Sequence, residues 1–167
     1  MSSATSTTKS PRRTRRAAFA TVRFSGDRLD PEEISAILRV PPMKAWRKRE
    51  RYYAGQRAGH LVGRIGTWFL ATDDFVSSPH LDKHLEFLTN LLSRGPQDEP
   101  ERLTQLQELM TRDNLKADVS CFWHGKAGEQ PPVIPAELTE KLRALPAEIE
   151  TDFDTDEAPA VETRSAQ

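Results

Sequence analysis

Near its C-terminal end the chain reads AEIETDFD, residues 147–154, and this octet constrains the fold more than any other stretch. Side chains of an extended strand point alternately to opposite faces. Ile149 and Phe153 therefore share one face, while Glu148, Glu150, Asp152 and Asp154 share the other. A sheet that holds such a strand buries one face and leaves the other in water, at least at this edge. A sheet covered by helices on one side only is the architecture that follows.

The rest of the chain supplies strands and helices in the order this architecture needs. FATVRFSG, β-branched and aromatic and closed by Gly26, reads as a strand. In DRLDPEEISAILRVPP, Asp30 suits an N-cap, Pro31 the first helical position, and Glu32 and Glu33 the positive end of the helix dipole. Ile34, Ile37 and Leu38 fall on one face, and Pro41 and Pro42 stop the helix. TWFLAT is a strand after a glycine-rich turn. SSPHLDKHLEFLTNLLS is a helix capped by Ser78 and begun by Pro79, with Leu81, Leu85, Leu88 and Leu92 at helical spacing. ERLTQLQELMTRD is a second helix, ADVSCFWHG a strand, and IPAELTEKLRALP a short helix between prolines. These elements predict an α+β fold with an antiparallel or mixed sheet of four to five strands. If residues 44–53 form a further strand paired with TWFLAT, the order is that of a ferredoxin-like, split βαβ arrangement.

Hydrophobic residues make up 37% of the chain, low for a fully packed globule, and the ends explain it. Residues 1–16 hold no acid and no core-former, and residues 154–167 are acidic and equally poor in apolar groups. Neither can offset the entropy of ordering, so both are expected to be disordered tails flanking one domain over residues 17–153. The formal net charge of −1 thus conceals a basic head and an acidic tail. The lone cysteine, Cys121, excludes an intramolecular disulfide and fits a reducing compartment. No apolar run reaches membrane-spanning length and no signal-peptide pattern is present, so no membrane association is expected and the cytoplasm is the expected location.

AWRKRERYY, residues 45–53, is the segment with most to say about function. As a strand it places Arg47, Arg49 and Arg51 on one face with Tyr53, and Trp46, Lys48 and Tyr52 on the other. Three guanidinium groups on one surface suit carboxylates or phosphates, and the aromatic rings can stack on a partner. The alternative within the chain is that these arginines face Glu148, Glu150 and Asp152 of the same sheet. An acidic protein is the expected partner, with nucleic acid as the alternative, aided by the PRRTRR segment. Against nucleic acid stand the acidic tail and the lack of a glycine-aromatic signature of an RNA-binding sheet.

Other chemistry is thinly supported. His80 and His84 lie one helical turn apart, a spacing that lets two imidazoles meet one metal ion, but no glutamate adjoins a histidine as in a metalloprotease helix. The plainer reading makes them a polar flank beside the leucine stripe. Cys121 and His124, three apart on a strand, point to opposite faces and form no nucleophile–base pair. Gly55, Gly59, Gly63 and Gly66 do not have the spacing of a phosphate-binding loop. Asp73 and Asp74 have no second carboxylate assigned to them. No cofactor and no enzymatic activity are expected, a metal-dependent enzyme around His80 and His84 being the remote alternative.

VRFSGDRLDPEEISAILRVPPMKAWRKRE, GTWFLATDD and HLDKHLEFLTNLL together resemble an uncharacterised bacterial family, domain of unknown function 4279. The likeness runs from about Phe19 to Phe153. It rests on the Gly26–Asp27 turn, the Asp30–Pro31 helix start, the proline after that helix, Trp46 and Trp68. The resemblance implies a small α+β domain with no assigned activity, and it implies a glycine where this chain carries Arg49.

Overall fold

The computed structural model describes residues 17–53 and 60–158. The segments 1–16 and 159–167, and with them most of both expected tails, lie outside the described residues, as do Gly55 and Gly59. Among the described residues seven strands and four α-helices follow in the order β1 (Ala18–Gly26), α1 (Pro31–Leu38), β2 (Lys44–Trp46), β3 (Arg51–Tyr53), β4 (His60–Val62), β5 (Gly66–Ala71), α2 (Leu81–Ser93), α3 (Arg102–Asp113), β6 (Lys116–Gly125), α4 (Ala136–Arg143) and β7 (Ala147–Thr155). Five strands form one mixed sheet in the order β2-β5-β1-β6-β7, and β3 and β4 form a separate ribbon. The first four are antiparallel to their neighbours, which fits the split βαβ order, and α4 crosses over to lay β7 parallel to β6.

Alternation decides the two faces of the sheet. Ala20, Val22 and Phe24 of β1, Trp68 and Leu70 of β5, and Ala117, Val119 and Cys121 of β6 are all buried. They pair across strands as Phe24 with Trp68, Val22 with Leu70 and Val119, and Ala20 with Cys121. Ile34 and Leu38 of α1, Leu85 and Leu88 of α2, Leu106 of α3 and Leu142 of α4 complete this core. The opposite face carries Phe19, Thr21 and Arg23 of β1, Asp118, Ser120, Phe122 and His124 of β6, and the four carboxylates of β7. Phe19 and Phe122 stack there with ring centroids 4.5 Å apart, and Arg23 pairs with Asp118 at 2.8 Å.

The start of α1 follows the local rules and that of α2 departs from them. Asp30 accepts a hydrogen bond from the Glu32 N–H at 3.0 Å, capping α1 as its sequence requires. Helix α2 begins at Leu81, two residues later than Pro79, and His80 is its N-cap. Ser78 still serves the entry, its hydroxyl accepting from the His80 N–H at 3.1 Å. The delay has a physical cause in His84, which is buried and reaches back to the Ser78 carbonyl at 2.8 Å. That bond fixes residues 78–80 as an extended lead-in. Strand β7 runs one residue beyond the expected octet, to Thr155, because its ladder with β6 continues to Gly125. The Asp156 N–H adds a bond to the Gly125 carbonyl at 3.0 Å.

Candidate interaction surface

Residues 44–53 do not form one strand. Strand β2 stops at Trp46, a turn occupies residues 47–50, and β3 resumes at Arg51. The Glu50 N–H donates to the Arg47 carbonyl at 3.1 Å, and Arg49 alone within the turn has positive φ, at 68°. This is the φ pattern of a type II turn, which favours glycine at its third residue. Side-chain and main-chain bonds hold it. Glu50 accepts from the Arg47 N–H at 2.7 Å, the Arg49 N–H donates to the Gly63 carbonyl at 2.7 Å, and the Gly63 N–H donates to the Glu50 carbonyl at 2.9 Å.

The detour brings Trp46 against Tyr52, rings stacked at 3.9 Å and 6°. In an unbroken strand those residues would stand about 20 Å apart. Trp46 is anchored further by its indole N–H, which donates to the Ile65 carbonyl at 3.0 Å. Gly63 makes this packing fit, since a Cβ there would lie 2.5 Å from Trp46 Cδ1.

The expected ladder of Arg47, Arg49 and Arg51 is therefore corrected. A turn separates them, and they meet different surroundings. Arg47 pairs with Asp30 at 2.7 Å and with Glu32 at 3.4 Å; these carboxylates raise the pKa of its guanidinium, Asp30 contributing most. Lys48 pairs with Asp27 at 2.6 Å. The counter-charges come from the β1–α1 loop and the first turn of α1. They do not come from β7, which lies four strand spacings from β2, about 19 Å away.

Arg49 and Arg51 are exposed and form no ion pair with a described residue, and exposed Arg64 likewise. Beside them the ribbon shows Tyr53, 69% exposed, Val62, 56% exposed, and Leu61, 47% exposed. Pairing of Arg51 with Val62 and of Tyr52 with Leu61 sets the two ribbon faces. Arg51, Tyr53 and Val62 share one, and Tyr52 and Leu61 share the other. Of the seven residues singled out in the sequence, Arg51 and Tyr53 thus stand exposed on the cationic and apolar ribbon, and Arg49 on the turn that leads into it. Trp46 and Tyr52 build its base, and Arg47 and Lys48 clamp that base to the β1–α1 loop.

His84 is a core residue and not a flank of the leucine stripe. Its Nε2 meets the Ser78 carbonyl, which can only accept, so Nε2 carries the hydrogen. Its Nδ1 lies 2.7 Å from the Thr72 hydroxyl, which itself accepts from the Ala20 N–H at 2.9 Å. Both ring nitrogens are engaged, and His80 sits exposed at the helix start. Among the described residues no three His, Cys, Asp or Glu side chains come together as metal ligands. Cys121 is fully buried, and burial pushes its thiol up to about 11. His124 lies on the other sheet face, its Nε2 bonded to Asp156 at 2.8 Å. Asp73 and Asp74 form a single 3₁₀ turn after β5.

Two constellations escaped sequence reasoning. One is the clamp formed by Asp27 and Asp30; it becomes legible once β1 and β2 are placed parallel in a split βαβ unit, which puts the β1–α1 loop and the end of β2 at the same end of the sheet. The other is Arg102, buried in α3, which donates to Glu99 at 2.7 Å and to the Leu91 carbonyl at 3.1 Å. Glu99 also holds Arg39 at 2.5 Å. The glutamate three residues before Arg102 was the available signal.

The chain belongs to the family described as a domain of unknown function (DUF4279), whose model matches residues 15–156. Comparison with curated proteins and with solved structures gives no match. Among the described residues no helix is long and apolar enough to cross a membrane.

Proposed function

We propose that this protein is a non-catalytic interaction module that takes an acidic segment of a partner protein on its β3–β4 ribbon. One observation carries the reading: Arg49 and Arg51 lack a counter-charge among the described residues and stand beside exposed Tyr53 and Val62. Exposed apolar groups ringed by unmatched guanidinium groups favour a carboxylate-bearing, partly apolar surface over water. The charges of Arg47 and Lys48 are already matched, so they position the ribbon and contribute little to contact. The cytoplasm, where Cys121 stays a thiol, is the compartment we assign.

Nucleic acid is the second reading, and two features weigh against it. Trp46 and Tyr52 cover one ring face of each other, leaving less aromatic surface for bases. The open sheet face, where a split βαβ domain would spread a nucleic acid, ends in Glu148, Glu150, Asp152 and Asp154. Those carboxylates repel phosphates.

The test uses the full chain and a fluorescent peptide of mixed glutamate and leucine. Reversal of Arg49 and Arg51 to Glu should weaken binding at least about tenfold, or 1.4 kcal/mol, while Arg143→Glu on α4 leaves it unchanged. Equal binding by all three proteins refutes the proposal. Binding to duplex DNA with a log–log salt slope near −2.7, from Arg49, Arg51 and Arg64 as three phosphate contacts, would replace it with the nucleic-acid reading.

A further inference from the structure

The free edge opposite the ribbon has properties of its own. Strand β7 is terminal in the sheet and nine residues long, an open edge of the kind that proteins cover or protect with charge. Its open-face side chains are Glu148, Glu150, Asp152 and Asp154. The first three form no ion pair with a described residue, and Asp154 has only the long contact of 3.8 Å to His124 Nδ1. That nitrogen is buried and has no hydrogen-bond partner among the described residues. The open face at this end of the sheet thus holds unmatched negative charge and a polar atom with bonding capacity to spare.

The chain itself brings positive charge to this place. Residues 1–16 contain Lys9, Arg12, Arg13, Arg15 and Arg16 and no acid. They precede Ala17, whose carbonyl accepts from the His124 N–H at 2.7 Å. Strand β7 lies two strand spacings from β1, about 10 Å, which three extended residues cross. Three residues suffice for that distance, so the cations that precede them, Lys9, Arg12 and Arg13, are within reach of β7. Tethering at Ala17 supplies an effective concentration in the millimolar range, so weak pairs suffice.

We propose that the basic segment Lys9–Arg16 docks in cis across the acidic open face of β7. The occupancy neutralises the β7 carboxylates and covers this face of the sheet.

A nitroxide on Ser10→Cys in the full-length protein tests this, Cys121 being buried and unreactive. At low salt the label should broaden the amide signals of residues 150–154 in preference to those of Lys44–Trp46 at the far edge. At about 1 M salt, where the screening length falls to about 3 Å, the preference should disappear. Joint reversal of Glu148, Glu150 and Asp152 to Lys should reduce the docked population about fivefold, the size expected of a few exposed ion pairs. Combining it with Arg12→Glu, Arg13→Glu and Arg15→Glu should restore it. Uniform broadening along both edges, or broadening that ignores salt and charge reversal, overturns the proposal. Broadening seen only between separately labelled chains also overturns it, and assigns the face to a second copy.

Discussion

Replacing Arg49 with glycine should make the domain more stable and its ribbon a poorer binder. Arg49 sits at φ 68° in the third position of the 47–50 turn. A side chain with a Cβ is disfavoured there by about 1–2 kcal/mol. Glycine removes that strain but adds conformational freedom to the unfolded chain, which costs about 0.5–1 kcal/mol. The net gain is about 0.5–1 kcal/mol, because the Arg49 side chain makes no ion pair with a described residue and its backbone bond to Gly63 survives. For a chain of this size the gain raises Tm by about 1–4 °C. Arg49→Ala is the control, since it removes the same charge and keeps the Cβ and its strain. Thermal unfolding by circular dichroism should place the glycine variant above the alanine variant, with the alanine variant near wild type. Both should bind the acidic peptide more weakly than wild type, and to the same extent. A glycine variant no more stable than the alanine variant would refute the left-handed turn. With it would go the account of why the three arginines do not form a ladder.

Other perturbations probe the rest of the framework. Gly95→Ala should destabilise by about 2–4 kcal/mol in urea unfolding, combining a left-handed φ of 69° with a Cβ placed 2.0 Å from Arg102 Nη1; a change below 1 kcal/mol, roughly, would mean that the α2–α3 connection is not held as described. His84→Leu should cost about 2–3 kcal/mol by stranding the Ser78 carbonyl and the Thr72 hydroxyl, and an unchanged urea midpoint would contradict the relay. The raised thiol of Cys121, at about 11 when folded against about 8.5 unfolded, keeps its full contribution to stability below pH 8.5 or so and loses it as pH climbs toward 11. Cys121→Ala should therefore flatten part of the decline in stability over that range, and parallel pH curves for the two proteins would count against a buried, protonated thiol.

Sequence and structure agree at three places where the governing rule is local. The alternation in β7 sets its wet face, Asp30 and Pro31 set the start of α1, and the leucine spacing sets the buried stripe of α2, because each depends only on neighbours in the chain. The turn at 47–50 was hidden for a specific reason. Its third position carries Arg49 in place of the glycine that would have announced a left-handed residue. Its counter-charges, Asp27 and Asp30, lie 21 and 17 residues earlier and become neighbours only through the sheet topology. His84 was misplaced for another reason. It sits within the apolar stripe, and a histidine there reads as polar until its partners are known. One of those partners is a backbone carbonyl, which leaves no mark in a pattern of side chains.

The two ends of the sheet solve one problem in opposite ways, and this links the fold to its use. An exposed strand edge invites pairing with other chains. At β2 the edge is only three residues long, because the anchored turn diverts the chain into a ribbon. The salt bridges of Arg47 and Lys48 to the β1–α1 loop add to the hydrogen bonds that fix that diversion. At β7 the edge runs for nine residues and depends on charge. Loss of the clamp should therefore act on binding through geometry and not through charge. Exchanging the partners, with Lys48→Asp and Asp27→Lys together, keeps the pair and the net charge, so the exchanged protein should bind the acidic peptide as wild type does. Lys48→Asp alone should loosen the stack of Trp46 on Tyr52, visible as a change in indole fluorescence, and weaken binding, although Lys48 itself touches no partner. If the single and the exchanged proteins bind alike, the turn does not position the ribbon, and Arg49 and Arg51 act as isolated charges.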